Sequence, residues 1–510
     1  MAVLFPVREV LFAVVCMGLP IFLAAGCSSG PDYDVLIRGG TVFDGSGGPG
    51  VVADVAVSGD AVAAVGDLSD FTGATEIDAS GLAVSPGFIN LMSWATETII
   101  EDGRAMSDIL QGVTLEVMGE GDSMGPVPDS LKAWLESQQG DIKYPIEWNT
   151  LGEYLEYLAD RGISPNVASF VGAATARVNV LGFEDRDPDP DELLRMQELV
   201  REAMREGALG VSSALIYAPG AYADTPELIA LAEAAGEFGG IYISHLRSEG
   251  NQLLEAFEEF MTIARTADVP AEIYHLKAAG EENWPKMDEL IRRVEEARAN
   301  GLRITADMYT YTAGATGLDA AMPPWAQEGG PEEWYARLKD PEVRPRIARE
   351  MVTPTDEWEN LMLAAGGPQN VLLVGFKQDS LKYLTGMTLA EVSEMRGTDP
   401  ATTAMDLVAL DESRVGTVYF IMSEENVKKK IALPWVSFCS DAGAPAPEGV
   451  FLQSNPHPRA YGSFARLLGK YVREEGVISL GEAVRRLSAL PAENLGIRMR
   501  GRLEEGYFAD

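Results

Sequence analysis

GIYISHLRSEGNQLLEAFEEFMTIARTADVPAEIYHLKAAG, residues 240–280, carries the pattern on which the fold is read. Two short apolar runs, GIYISHL from Gly240 and AEIYHL from Ala271, each close on a histidine, His245 and His275. The spacing between those histidines is about one strand–helix–strand step, so the runs read as consecutive parallel strands. Working outward, six more runs have the same texture: GFINLM from Gly87, VTLEVMG from Val113, NVASFVG from Asn166, LGVSSAL from Leu209, RITADMY from Arg303 and WVSFCSD from Trp435. Helix-like segments such as Asp191–Glu206, Pro226–Phe238 and Trp284–Asn300 lie between several of them. Eight β-then-α repeats predict an α/β fold, a closed (β/α)8 TIM-like barrel, over residues 87–490. The gap between the seventh and eighth strands, around residues 318–433, is too long for a structureless loop and predicts an inserted subdomain. Ahead of the barrel, residues 28–86 hold short alternating runs with Gly turns, VLIRGGTVFDG and ADVAVSGDAVAAVG among them, which read as small antiparallel strands.

Composition narrows the function. The chain has 510 residues, 78 acidic against 40 basic, for a net charge of −38. That balance argues against nucleic acid, whose phosphates need a basic surface, and against docking on anionic lipid by charge. An apolar run from Val10 to Ala25, too short to span a bilayer, ends in Leu-Ala-Ala-Gly-Cys27 followed by Ser-Ser-Gly. Residues 1–27 therefore read as a bacterial lipoprotein signal with Cys27 as the lipidated residue, a plain secretory signal being the alternative. The expected location is exported and membrane-anchored, periplasmic or at the cell surface. Two of the three cysteines, Cys16 and Cys27, belong to that signal and only Cys439 remains, so no disulfide framework is expected.

The chemistry-bearing residues gather at predicted strand ends. In a (β/α)8 barrel the C-terminal ends of the strands line the active-site face. His245 and His275, two of only three histidines, can converge there on one metal ion; a hydrogen-bonded core pair is the bland alternative. Asp441, in FCSDAG, closes the eighth strand, where a carboxylate can take a proton from water and return it to a leaving nitrogen; alone it would read as a helix cap or a turn. The second strand ends VMGEGDSMGP, offering Glu120 and Asp122, and the glycines on both sides of Glu120 let the backbone bend so that its carboxylate points over the barrel. Two histidines and one carboxylate form a catalytic zinc set that leaves a position for water. A glycine-rich turn with solvated acids is the alternative.

From about Asp34 to Asp510 these blocks, with DVLIRGGTVFDGSG, VSPGFI, QGVTLEVMGEG, GALGVSSALIYAPG, YISHLRSEG, YHLKAAG, YTYTAGATGLDAAMPPW, SDAG and HPRAYGSF, resemble the N-acyl-D-amino-acid deacylases (D-aminoacylases) of the amidohydrolase superfamily. The resemblance implies a small β-sandwich built from both ends of the chain, with residues 491–510 starting the return. It also implies that His245 and His275 are tight zinc ligands and that Asp441 is the acid/base. Lys277 matches a family lysine beside the second histidine, Arg459 matches an arginine that holds the substrate carboxylate, and Tyr217 and Tyr309 match pocket positions, so the resemblance implies that Lys277, Arg459 and the tyrosine hydroxyls bind substrate. Two positions depart from the pattern. The family's first strand ends in Asp-x-His-x-His, ligands of a second metal, where this chain reads Asn90-Leu91-Met92-Ser93-Trp94; the second strand supplies a cysteine near Gly121, where this chain offers Glu120. The chain also stops at GYFAD, where the family continues into closing strands, so a C-terminally incomplete sandwich is expected.

The resulting expectation is one Zn2+ per chain on His245, His275 and Glu120, with a small-molecule N-acyl amino acid as substrate. Hydrolysis of a dipeptide, cyclic imide or lactam is an alternative on the same barrel face. A surface lipoprotein that lost catalysis and binds ligand is an alternative of another class. The sequence leaves the oligomeric state open.

Overall fold

The computed structural model describes residues 30–510; the signal and lipid-anchor readings at Cys16 and Cys27 lie outside the described residues. The first sheet holds β1 (Tyr33–Val42), β2 (Val51–Ser58), β3 (Ala61–Gly66), β4 (Gly73–Asp78) and β5 (Ala83–Val84). Its order is β3–β2–β1–β4, with β5 also on β1. The ladders β1–β2 and β2–β3 are antiparallel, whereas β4 and β5 run parallel to β1. The last residues of the chain return to it: Ala61 bridges Phe508, and the Val62 amide donates to the Tyr507 carbonyl at 2.8 Å. Leu503 and Ala509 pack on Val42, Val55 and Val62.

The barrel strands follow in the order read from the sequence: β6 (Phe88–Ser93), β7 (Val113–Met118), β8 (Asn166–Ser169) with its short continuation β9 (Val171–Gly172), β10 (Gly210–Ala214), β11 (Ile241–His245), β12 (Ala271–Ile273) and β13 (Ile304–Ala306). Parallel ladders join β6 to β7 to β8, and β9 through β13 in sequence. Every residue of β6 and β11 is buried. Barrel strands face the core on one side and helices on the other, hence runs without polar alternation. The eighth segment closes the ring. Its Ser437 and Cys439 amides donate to Ala306 and Met308 carbonyls at 2.8 and 3.0 Å. On its other side Asn90 accepts from the Ser440 amide at 2.8 Å and donates to the Ser440 hydroxyl at 2.8 Å. A side chain thus does part of the pairing, and only Val436 makes a regular β-bridge, to Ala306.

The anticipated helices form over Pro190–Arg205, Thr225–Gly236 and Lys286–Ala299. The first begins in a capping box, Asp189 with Glu192, and buries Met196, Val200, Ala203 and Met204. Between the last two barrel strands lies an antiparallel sheet of β14 (Gly314–Gly317), β15 (Val371–Gly375) and β16 (Gly416–Tyr419), in the order β14–β16–β15. It starts ahead of residue 318. The helix Glu424–Ile431, inside the expected insertion, belongs with the barrel instead: Val427 and Ile431 join the barrel core, and Lys430 Nζ donates to the Leu276 carbonyl at 2.5 Å. Cys439, the one cysteine among the described residues, is buried and unpaired. No helix of the described residues is long and apolar enough to cross a membrane.

Candidate active site

His245 is the last residue of β11, and its ring faces the barrel mouth. His275 lies two residues beyond β12 rather than at its end, with φ +34°. The cause is Asp307, which follows β13: its Oδ1 accepts the His275 amide at 2.7 Å, and its carbonyl accepts the Leu276 amide at 2.9 Å, so the chain leaves the ladder and turns inward. Glu120 follows β7 between Gly119 at φ +97° and Gly121 at φ +68°. A Cβ on Gly119 would sit 2.4 Å from the Phe170 carbonyl, so the bend that aims Glu120 over the barrel requires glycine there.

These three residues meet. Glu120 Oε1 lies 3.2 Å from His245 Nδ1 and 3.0 Å from His275 Nε2, and the two imidazole centroids are 4.5 Å apart at 84°. All three side chains are nearly fully buried. Among the described residues this is the one group of three or more His, Cys, Asp or Glu side chains with ligand atoms so close. Asp122 is exposed and stands outside it. Behind the rings lies Glu249, which the sequence reading missed. Its Oε2 is 3.4 Å from His245 Nε2 and its Oε1 is 3.1 Å from His275 Nδ1. Lys277, expected to reach substrate, is engaged here: its Nζ binds both Glu249 oxygens at 2.7 and 2.9 Å and lies 2.6 Å from His275 Nδ1.

The electrostatics favour a cation at this point. Burial opposes ionisation of Glu120, yet its hydrogen bonds with His245 and His275 hold it well below the usual carboxylate range. Burial likewise opposes ionisation of Glu249, while His245, Lys277 and His275 hold it low. Burial and Lys277 pull the His275 pKa down, but Glu249 and Glu120 prevail and push it up to about 10. Two buried carboxylates thus flank the imidazoles, and one nitrogen of each ring faces Glu120 while the other faces Glu249. That is the donor set of a metal bound by two histidines and a carboxylate, with a second carboxylate on the far ring nitrogens fixing the tautomers. His245 Nε2 is buried with no well-formed hydrogen bond, as a ring awaiting that ordering would be. The residues fit a metal ion.

Asp441 sits across the mouth at φ +50°, its amide donating to the Met92 carbonyl at 3.0 Å. Arg459, buried, pairs through Nη1 with Asp441 Oδ2 at 2.6 Å and stacks over the Tyr309 ring at 4.7 Å. Burial raises the Asp441 pKa more than Arg459 and His275 lower it. Arg459 Nε and the Tyr309 hydroxyl are buried with no partner. Tyr217 is half-buried, 5.4 Å from the His245 ring, beneath the Arg414 guanidinium. His457 is buried, accepts the Arg459 amide on Nδ1 at 2.9 Å, and is held neutral by burial and by Arg459, with its pKa at about 3. Where an Asp-x-His-x-His motif would lie, Met92 is buried in the core and Trp94 Nε1 donates to Glu120 Oε2 at 3.0 Å.

A (β/α)8 barrel carrying two strand-end imidazoles, a bridging carboxylate and a paired aspartate–arginine at its C-terminal face defines a class, the metal-dependent barrel hydrolases. Residues 75–510 match the model of the amidohydrolase family. The chain is 32% identical to a D-aminoacylase of Alcaligenes xylosoxydans xylosoxydans over 95% of its length and 88% of that protein's. It is 30% identical to an N-acyl-D-glutamate deacylase of the same organism over 94% of its length and 86% of that protein's. A crystal structure of D-aminoacylase superposes with a TM-score of 0.76 at 31% identity, covering 94% of this chain and 89% of that one. The N-acyl-D-glutamate deacylase of Bordetella bronchiseptica, solved with zinc and a phosphonate mimic of the tetrahedral intermediate, gives a TM-score of 0.77 at 28% identity, covering 94% of this chain and 89% of that one. The chain belongs to the amidohydrolase family. It is a D-aminoacylase homologue, a hydrolase of carbon–nitrogen bonds other than peptide bonds.

Proposed function

We propose that this protein hydrolyses the amide bond of N-acyl-D-amino acids, using one zinc ion held by His245, His275 and Glu120. The meeting of both imidazoles on Glu120 Oε1 carries the reading. The activities of the curated relatives support the substrate class, and the zinc in the Bordetella structure supports the metal. Bound there, zinc supplies Lewis-acid chemistry, polarising a carbonyl and making water more acidic.

The chain's own residues do the rest. Asp441 takes the proton from the attacking water and passes it to the leaving nitrogen as the carbon–nitrogen bond breaks and a carbon–oxygen bond forms, giving a carboxylate and a free amino acid. Arg459 already holds Asp441, and its unpartnered Nε remains for the substrate's carboxylate, with the Tyr309 hydroxyl beside it. Lys277 and Glu249 orient the histidines. Trp94 holds the second oxygen of Glu120 where a further metal would compete, which favours a single ion. Metal analysis of purified protein with a screen of N-acetyl-D- and N-acetyl-L-amino acids tests this. About one zinc per chain and turnover of D-substrates is expected. No metal uptake under zinc-replete conditions would leave a ligand-binding barrel as the better account.

A further inference from the structure

The mouth of the barrel opens into a cavity of about 860 Å3, far larger than the candidate centre needs. At roughly 30 Å3 per water-sized group, it has room for about thirty such groups. An N-acetyl amino acid has only about a dozen non-hydrogen atoms. Part of the surplus is bounded by the insertion, through Trp334, Tyr335 and Arg414, and part by an apolar arm. Arg459, Tyr309 and His457 line the cavity beside the seventh and eighth strands. The loops after the second and third strands, across the barrel, contribute Met124, Val127, Leu131, Leu135, Val178 and Phe183.

This second arm is apolar by construction. Its outer wall is the helix Asp129–Gln138, which has no fully buried residue. Leu131, Trp134 and Leu135 of that helix line the cavity, and Trp134 packs on Phe183 with ring centroids 5.4 Å apart. The wall is tied down from outside: Lys377 Nζ donates to the Ser137 carbonyl at 3.0 Å, and Lys382 Nζ pairs with Asp141 at 2.6 Å. Glu97, a carboxylate on this arm, accepts from the Tyr144 hydroxyl at 2.9 Å, and burial raises its pKa. Leu131 and Leu135 rest against the edge of the barrel core and, with Trp134, are part-buried, yet all three also line the cavity, an apolar surface that an apolar occupant would cover.

Resting on the deacylase reading above, we infer that the apolar arm bounded by Leu131, Leu135, Val178 and Phe183 binds the acyl group, and that the preferred substrates carry long hydrocarbon acyl chains. The amino acid's carboxylate then faces Arg459, the scissile amide lies over Glu120 and the histidines, and the chain runs under the 129–138 helix.

The test is a series of N-acetyl, N-butanoyl, N-octanoyl and N-dodecanoyl derivatives of one D-amino acid, compared by kcat/KM. A second series keeps the acetyl group and varies the amino-acid side chain. The expected result is a two- to fourfold rise in kcat/KM per added acyl methylene until the arm is full, mostly through KM. Leu131→Asp, on the partly exposed wall, and Val178→Trp, which fills the arm, should each cut the dodecanoyl-over-acetyl preference by tenfold or more. Calorimetric binding of the N-dodecanoyl amino acid to wild type and to Leu131→Asp gives a second readout. A rate that falls with acyl length, or gains that follow the amino-acid side chain instead, would overturn the acyl assignment and leave the deacylase reading standing. No hydrolysis of any N-acyl amino acid would overturn that reading; binding of the dodecanoyl compound that Leu131→Asp weakens would then still establish the arm.

Discussion

Glu249 touches the candidate centre and Asp441 lies across the mouth from it, so their variants should separate. Asp441→Asn removes the proton carrier and leaves the imidazoles in place. Zinc content should be unchanged and kcat should fall by about 10^2–10^4-fold; an Asn variant that keeps wild-type turnover would move the acid/base elsewhere. Glu249→Gln keeps the shape but withdraws the charge behind both rings. Zinc affinity, read by competition with a chelator, should fall by about 10–100-fold, with turnover recovering as zinc is raised. His245, His275 and Asp441 were legible because each follows an apolar run, and Glu120 because the glycines on both sides of it allow a bend over the barrel, although an ordinary glycine-rich turn has the same texture. Glu249 was not legible. It stands in a polar stretch, Arg247-Ser248-Glu249-Gly250, whose texture is that of any surface loop. What makes it different is burial against two rings, a tertiary fact. Lys277 was found for its neighbourhood with His275, yet its ammonium is spent on Glu249 rather than free for substrate.

Among the elements, the turn after β7 depends on Gly119. Gly119→Ala would put a methyl group 2.4 Å from the Phe170 carbonyl at φ +97°, so either the turn or the neighbouring strand must shift. The expected outcome is a folded barrel, by circular dichroism, that has lost most of its zinc; full zinc occupancy in that variant would mean that Glu120 does not depend on this bend. Barrel strands were readable because doubly covered strands are short, continuous and apolar. Their ends were less so. β12 stops at Ile273 because Asp307 captures the next amides, and the eighth segment pairs partly through the Asn90 side chain, neither of which a periodicity registers. The Glu424–Ile431 helix looked like part of the insertion because nothing in its sequence says which core its apolar face will join.

Over the whole barrel, one interior carboxylate makes a contribution to stability that falls with pH. Glu272 on β12 is buried, with Oε2 accepting from Thr305 at 2.8 Å and Oε1 unpartnered. Burial, helped by the nearby Asp307, pushes its pKa up to about 8. Its folded pKa lies above its unfolded value near 4.5, so its stabilising contribution is complete below pH 4.5 and disappears as pH rises through 8. Stability of the metal-free protein should therefore decline across that window, by up to about 1.4 kcal/mol per pH unit for one proton. Glu272→Gln should flatten the decline in urea melts at pH 5 and pH 8; an unchanged slope would assign it to other groups.

The pairing of β3 with the far end of the polypeptide has a temporal meaning. Ala61 leaves the ribosome roughly 450 residues before Phe508, which at about 5–20 residues per second is on the order of half a minute to a minute and a half. For that interval the rim of the first sheet lacks this pairing, an unpaired strand edge open to neighbouring nascent chains.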